Sequence, residues 1–226
     1  MSMLIAILVA LIGIHLETTA KREIDQANQN IVISKERGTS EKAVDVLETI
    51  EIKGRSPKTD YRRAAFGDGW RITGECSTRD LILARDLENT TIEKCKVLRG
   101  TLNDPYTGQI VQFLRGPETS DDIQIDHMVA LSDAWQKGAQ ALSFTEREAF
   151  ANDPLNLLAV DGQTNQDKSG SDAASWLPPN KEYHCRYIAR QIAVKKKYAL
   201  WMTQAEHDAM KSQLTTCPMQ PLPTVQ

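Results

Sequence analysis

Four cysteines, Cys76, Cys95, Cys185 and Cys217, constrain this 226-residue chain more than any other feature. They are even in number and contain no C-x-x-C pair, and their spacings do not describe a zinc knuckle. Two disulfides are a simpler reading than four buried thiols. Of the three possible pairings, Cys76–Cys95 and Cys185–Cys217 are the most local. A bridge closing a loop of this size contributes about 3 kcal/mol if it acts by restricting the unfolded chain. Such bridges persist in oxidising compartments, and the N-terminus agrees with that setting. Met3 to Ile14 is an unbroken apolar run followed by polar sequence. A bilayer span takes about 20 apolar residues, so this run suits the core of a secretory signal better, with Thr18, Thr19 and Ala20 as small residues for cleavage. No Lys or Arg precedes it. Residues 1–20 are therefore read as a signal peptide or, alternatively, a retained anchor. The expected location is secreted, with membrane contact only if the segment is kept.

A hydrophobic fraction of 41% and a charged fraction of 25% belong to an ordinary globular chain. The formal net charge of −3 attracts no polyanion globally, so a nucleic-acid partner must be argued from local charge and from a site. Residues 21–57 mix charges with few aromatics and read as a linker or arm, with a helical stretch from Ser40 to Ile50. Gly54, Ser56 and Pro57 mark its end. The folded domain is expected over 58–217, and 218–226 as a loose tail. Thr78 to Leu87 has helical spacing with Ser77 or Thr78 as cap. Runs at Cys95–Arg99 and Gly108–Arg115 flank an Asp-Pro and a Gly, which predicts a β-hairpin with a longer loop. Ile123–Leu131 and Leu155–Val160 read as strands. Ser143–Phe150 reads as a helix, with Thr145 and Glu148 spaced as a capping box. Tyr183–Trp201 predicts a helix, and Thr203 with Glu206 opens another. The mixture is an α+β fold with flanking helices.

The chemistry lies in an ordered set of short pieces. Asp126 and His127 end one apolar run, Asp153-Pro154-Leu155-Asn156-Leu157 opens the next, and Asn165-Gln166-Asp167-Lys168 follows it. Each alone is weak, since an Asp-His pair is usually a surface dyad. Phosphodiester hydrolysis needs an activated water and a stabilised phosphate. An imidazole with pKa near 6.5 can take the water's proton, and Asp with Asn offers oxygen ligands that suit Mg²⁺ or Mn²⁺ better than zinc.

In that order, the pieces resemble the HNH, or ββα-metal (His-Me finger), endonucleases. They are most similar to a branch of small exported bacterial proteins with an Asp-His-x-Val-Ala-Leu-x-x-Ala-Trp core, here Asp126 to Trp135. The resemblance runs from about Tyr61 to Cys217 and includes Asp104-Pro105-Tyr106-Thr107-Gly108 and Trp176-Leu177-Pro178-Pro179. It implies a ββα-metal core, DNA or RNA as substrate, His127 as general base, and Asp126 and Asn165 as ligands of one Mg²⁺ or Mn²⁺. It further implies that Asn156 pins the loop between the two strands.

Lys168 is a candidate phosphate contact, or else a solvated helix-end lysine. Here Ser169 follows it, where the family commonly has Gly. Arg186, Arg190 and Lys197 lie on a basic helical stripe that is either a substrate groove or a solvated face. Arg63 and Arg79 are weaker candidates of the same kind. Trp135, Trp176 and Trp201 could stack bases but suit a core, and Asp133, Asp161 and Asp167 are loop carboxylates that could assist a metal. His184 and His207 read as surface residues. A non-catalytic exported binding domain on the same scaffold is the competing reading. Retention of Asp126, His127 and Asn165 argues against it, and a zinc hydrolase lacks its ligand set. No obligate protein partner is inferred.

Overall fold

The structure is a computed structural model that describes residues 41–223. The expected leader, the first half of the expected arm (21–40) and the last three residues lie outside the described residues. The first element is helix α1 (Ala43–Leu47), inside the segment expected to be an arm. Its Ala43, Val46 and Leu47 share one face and are buried against the two C-terminal helices. Glu41–Gln226 accordingly forms one compact unit, so the body starts well before residue 58. The helical stretch expected within Ser40–Ile50 is therefore present, but the sequence pattern did not show that it packs into the body instead of lying in an arm. The tail also differs from expectation: Pro221 bridges Lys42, and the Leu222 amide donates to Glu41 O at 2.8 Å.

Two short strands, β1 (Ile72–Thr73) and β2 (Cys76–Ser77), lead into helix α2 (Thr78–Asp86), whose cap is Ser77 accepting from the Asp80 amide. Strands β3 (Glu88–Glu93), β4 (Lys96–Asn103) and β5 (Ile110–Leu114) form an antiparallel sheet in that order. The expected hairpin is β4–β5. The third strand, β3, is almost wholly exposed and polar, so it carries no alternation to read. The other face of this sheet buries Val97, Leu102 and Phe113 against Ile82 and Leu83 of α2.

Strand β6 (Ile123–His127) is followed by helices α3 (Leu131–Gln136) and α4 (Phe144–Ala151), then by strand β7 (Leu157–Asp161) and helix α5 (Gly162–Lys168). β6 and β7 pair antiparallel from Ile123↔Asp161 to His127↔Leu157. The strand thus stops at His127, and Leu131 already belongs to a helix. The capping box of α4 is Ser143 with Glu146, not Thr145 with Glu148. Helices α6 (His184–Lys197) and α7 (Gln204–Leu214) close the fold. Thr203 caps α7, but the Glu206 carboxylate reaches Lys137 and Lys195 instead of returning to its own cap. Both local disulfides form, Cys76–Cys95 and Cys185–Cys217. No helix of the described residues is long and apolar enough to cross a membrane.

Beneath the junction of α3, α6 and α7 lies a group of buried charges. Lys137 Nζ lies 2.7 Å from Asp133, 2.7 Å from Asp172 and 2.6 Å from Glu206. Lys195 pairs with Glu206 at 2.9 Å, and Arg55 reaches in from the supposed arm to Asp133 and Asp172. Three cations thus face three carboxylates. Asp133 is committed to this group and does not line the cleft shared by Asp126 and His127, and Lys195 is not part of a surface stripe.

Candidate active site

β6 ends on two buried side chains that neighbouring strand positions send to opposite faces. Both nevertheless line one cleft of about 450 Å³, because the chain bends immediately afterwards. Asn156 makes that bend. Its carbonyl accepts from the Met128 amide at 2.7 Å, its side-chain oxygen accepts from the Val129 amide at 2.9 Å, and its amide nitrogen approaches Phe150 O at 3.4 Å. Fully buried, Asn156 touches no cleft space and acts on the loop alone.

His127 Nε2 lies 2.9 Å from Ala151 O at the end of α4. A carbonyl can only accept, so Nε2 carries the proton and Nδ1 keeps the lone pair. Trp70 stacks on the imidazole, with ring centres 5.7 Å apart and planes within 9°. Burial pushes the imidazole pKa down to about 3 despite the Ala151 carbonyl, which favours the charged ring; the charges of Arg63 and Lys168 push it the same way as burial. The ring is neutral at pH 7.

The Asp126 carboxylate is held at both oxygens. Lys168 Nζ donates to Oδ1 at 2.8 Å and to His127 O at 2.9 Å, and the Tyr106 hydroxyl donates to Oδ2 at 2.5 Å. Burial, followed by the Asp126 charge, raises the Tyr106 pKa well above its ordinary value, so the phenol keeps its proton. Lys168 is fully buried. It therefore does not reach the cleft as a phosphate contact. It is the internal counter-ion that fixes the Asp126–His127 corner.

Asn165 projects from α5 into the same cleft. Its amide nitrogen donates to Gln124 Oε1 at 2.8 Å, which leaves its amide oxygen for a ligand. α5 starts abruptly because Asp161 caps it, accepting from Thr164 N at 2.8 Å. Among the described residues no group of three or more His, Cys, Asp or Glu side chains converges. The oxygen donors that do share the cleft are Asp126, which retains lone pairs beyond its two hydrogen bonds, and Asn165. That is a hard donor pair with room for waters.

The helical stripe behaves differently from expectation. Arg190 donates to the carbonyls of Leu155, Pro154 and Leu157, clamping the entry to β7. Lys197 pairs with Asp153 at 2.6 Å, and Arg186 lies over the Tyr183 ring. None of the three lines the cleft; its cations are Lys58, Arg63 and Arg79. Trp135 and Trp201 anchor the 54–59 segment through their indole nitrogens, and Trp176 packs on Tyr106 and Tyr187. Asp161 is a cap, and Asp167 accepts from Gln163. His207 is not a surface residue but lies buried near Glu48, and the half-buried His184 bridges Pro178 O and Gln213. Sequence reasoning passed over Tyr106, Trp70 and Lys58. Tyr106 stood inside a quoted motif, which was its only signal.

An Asp–His corner, an Asn from the helix that follows, and cations around their shared cleft are the parts of a nuclease-like domain. Residues 77–213 match the family described as GmrSD restriction endonucleases, C-terminal domain, and the chain belongs to that family. A similar protein is an uncharacterized secreted protein of Arthroderma benhamiae, 35% identical over 178 residues that cover 77% of this chain and 84% of the relative. No solved structure matches the chain.

Proposed function

We propose that the protein is an exported, metal-dependent endonuclease of the HNH (ββα-metal) type that hydrolyses phosphodiester bonds of DNA, with RNA as a second candidate substrate. The observation that carries this reading is a single cleft shared by Asp126, His127 and Asn165, with His127 Nε2–H tied to Ala151 and Nδ1 left as an acceptor. The order β6, β7, α5 supports the ββα core, and family membership supports the nuclease class. The disulfides and the printed name of the fungal relative support export.

His127 takes the proton of the attacking water through Nδ1. Burial keeps the ring neutral before substrate arrives. An anionic phosphate beside it restores some of its affinity for the proton as the water is deprotonated. Ala151 and Trp70 hold the ring in one orientation, Asn156 fixes the bend, and Lys168 with Tyr106 fixes the Asp126 carboxylate. Asp126 and Asn165 would hold Mg²⁺ or Mn²⁺, which supplies charge stabilisation to the phosphate and the departing oxygen.

Plasmid and linear DNA, and a parallel RNA substrate, are incubated with the purified protein in Mg²⁺, Mn²⁺, Zn²⁺ or EDTA. Cleavage is expected with Mg²⁺ or Mn²⁺ and not with chelator. His127→Ala should lose about 100-fold or more with unchanged thermal unfolding, and Asp126→Asn and Asn165→Ala should raise the metal concentration needed. Full cleavage in EDTA, or by His127→Ala, removes the reading.

A further inference from the structure

The cleft has a wall that the family match does not contain. Lys58, Tyr61, Arg63 and Trp70 all line it, and all precede residue 77. The segment leading to them is fastened by side-chain and backbone bonds from three other parts of the fold. Lys53 N donates to Met202 O at 2.9 Å and the Trp201 indole to Gly54 O at 3.1 Å, while Ser56 N reaches Gln136 O at 2.8 Å and the Trp135 indole Thr59 O at 3.2 Å. Arg55 ties the same strap to Asp133 and Asp172. Beyond it, Phe66 is buried against Phe150 and Trp135, and Arg147 donates to Ala65 O at 2.8 Å. The backbone carrying Arg63 is thus held on both sides.

The side chain of Arg63 is not held. It is exposed, and among the described residues it has neither an acidic partner nor a hydrogen bond. Lys58 has no acidic partner either and rests over the Tyr61 ring at 5.1 Å. By contrast, Arg190 and Lys197 of the helical stripe are already engaged. Arg63 also lines a smaller cavity of about 130 Å³ that His127 shares, so both spaces bordering the imidazole are bordered by Arg63 as well. A cation fixed at its backbone, free at its head and beside the general base can neutralise a phosphate at little ordering cost.

We propose that Arg63, flanked by Lys58, is the anion clamp of this cleft and holds the phosphodiester backbone of the substrate against the Asp126–His127 corner. The assignment rests on the nuclease reading, so its test measures binding without turnover. A short fluorescent DNA, single-stranded or duplex, is titrated in chelator across a salt series with the full protein, Arg63→Gln, Arg63→Lys and Lys96→Gln. Lys96→Gln removes the same charge from the three-stranded sheet. Arg63→Gln should bind several-fold more weakly and lower the slope of log K against log salt by about 1. Arg63→Lys should keep the slope, and Lys96→Gln should match the unaltered protein. Unchanged affinity and slope in Arg63→Gln, or an equal loss in Lys96→Gln, overturns the clamp. Arg63-dependent binding by a protein that cleaves nothing in Mg²⁺ or Mn²⁺ keeps the clamp and removes the nuclease reading. Cleavage with Arg63-independent binding does the reverse, and a protein that neither binds nor cleaves loses both.

Discussion

Lys168 and Asp126 form a buried ion pair whose partners are both required for the site to keep its shape. Removing one member of such a pair leaves the other charge without compensation, at a cost of about 3–5 kcal/mol. Lys168→Met should therefore lower the urea midpoint by that equivalent and abolish activity with it. An unchanged midpoint would show that the ammonium does not hold the carboxylate. The next residue carries strain of its own: Ser169 has φ of 50° and ψ of −126°, a conformation that favours glycine. Ser169→Gly should stabilise the protein by about 1 kcal/mol, raising Tm by about 2–4 °C in a chain of this size. At this scale the sequence carried the grouping of Asp126, His127 and Asn165, whose order was visible and which the fold brings to one cleft. It did not carry the direction of charged side chains. Nothing in the one-dimensional pattern distinguishes a lysine that enters the protein, as Lys168 does, from an arginine that stays outside, as Arg63 does.

The joint between β7 and α5 positions Asn165, and Gly162 makes it possible. The Gly162 amide donates to Asp122 O at 2.9 Å, and a Cβ there would lie 2.0 Å from the Asp121 carbonyl. Because the obstructing atom is backbone, it cannot swing aside. Gly162→Ala should therefore cost about 1–3 kcal/mol through overpacking and depress cleavage further than stability, because the helix that shifts carries the Asn165 amide. Measuring Tm together with activity at a temperature where the variant is still folded separates the two effects. An Ala variant with full activity would mean that the joint has slack. β6 and β7 were legible because buried strands leave a plain apolar rhythm, whereas α5, polar along its length, was expected only through the resemblance. β3 was not legible, being almost wholly exposed, and the docking of α1 was not, because a helical pattern at Ser40–Ile50 does not say which surface its short apolar face lies on.

For the molecule as a whole, the segment before residue 58 belongs to the fold. A protein beginning at residue 58 loses α1 and Arg55. Burial of Val46 and Leu47 alone is worth about 3–6 kcal/mol, and Asp133 and Asp172 lose a counter-charge. That truncation should unfold at a markedly lower temperature than one beginning at residue 41, and equal melting of the two would refute the placement of α1. The buried ion group gives a pH signature as well. Burial pushes the Asp172 carboxyl up, but Lys137, Ser175 and Arg55 outweigh it and hold the pKa at about 2. A folded value below the unfolded one, about 3.9, means that this stabilisation is complete above about pH 4 and drains away as pH falls toward 2. Asp172→Asn should be less stable at pH 7 and show a shallower acid transition in that window. The two disulfides sit at the margins, one joining β2 to the β3–β4 turn and the other joining α6 to the residue stretch after α7, and neither crosses β6, β7 or α5. If the proposed export holds, a chain made where thiols stay reduced would close these edges only on leaving. If the proposed activity holds as well, the elements that carry Asp126, His127 and Asn165 would not wait for that closure, so a reducing agent should weaken the fold at its margins sooner than it stops cleavage.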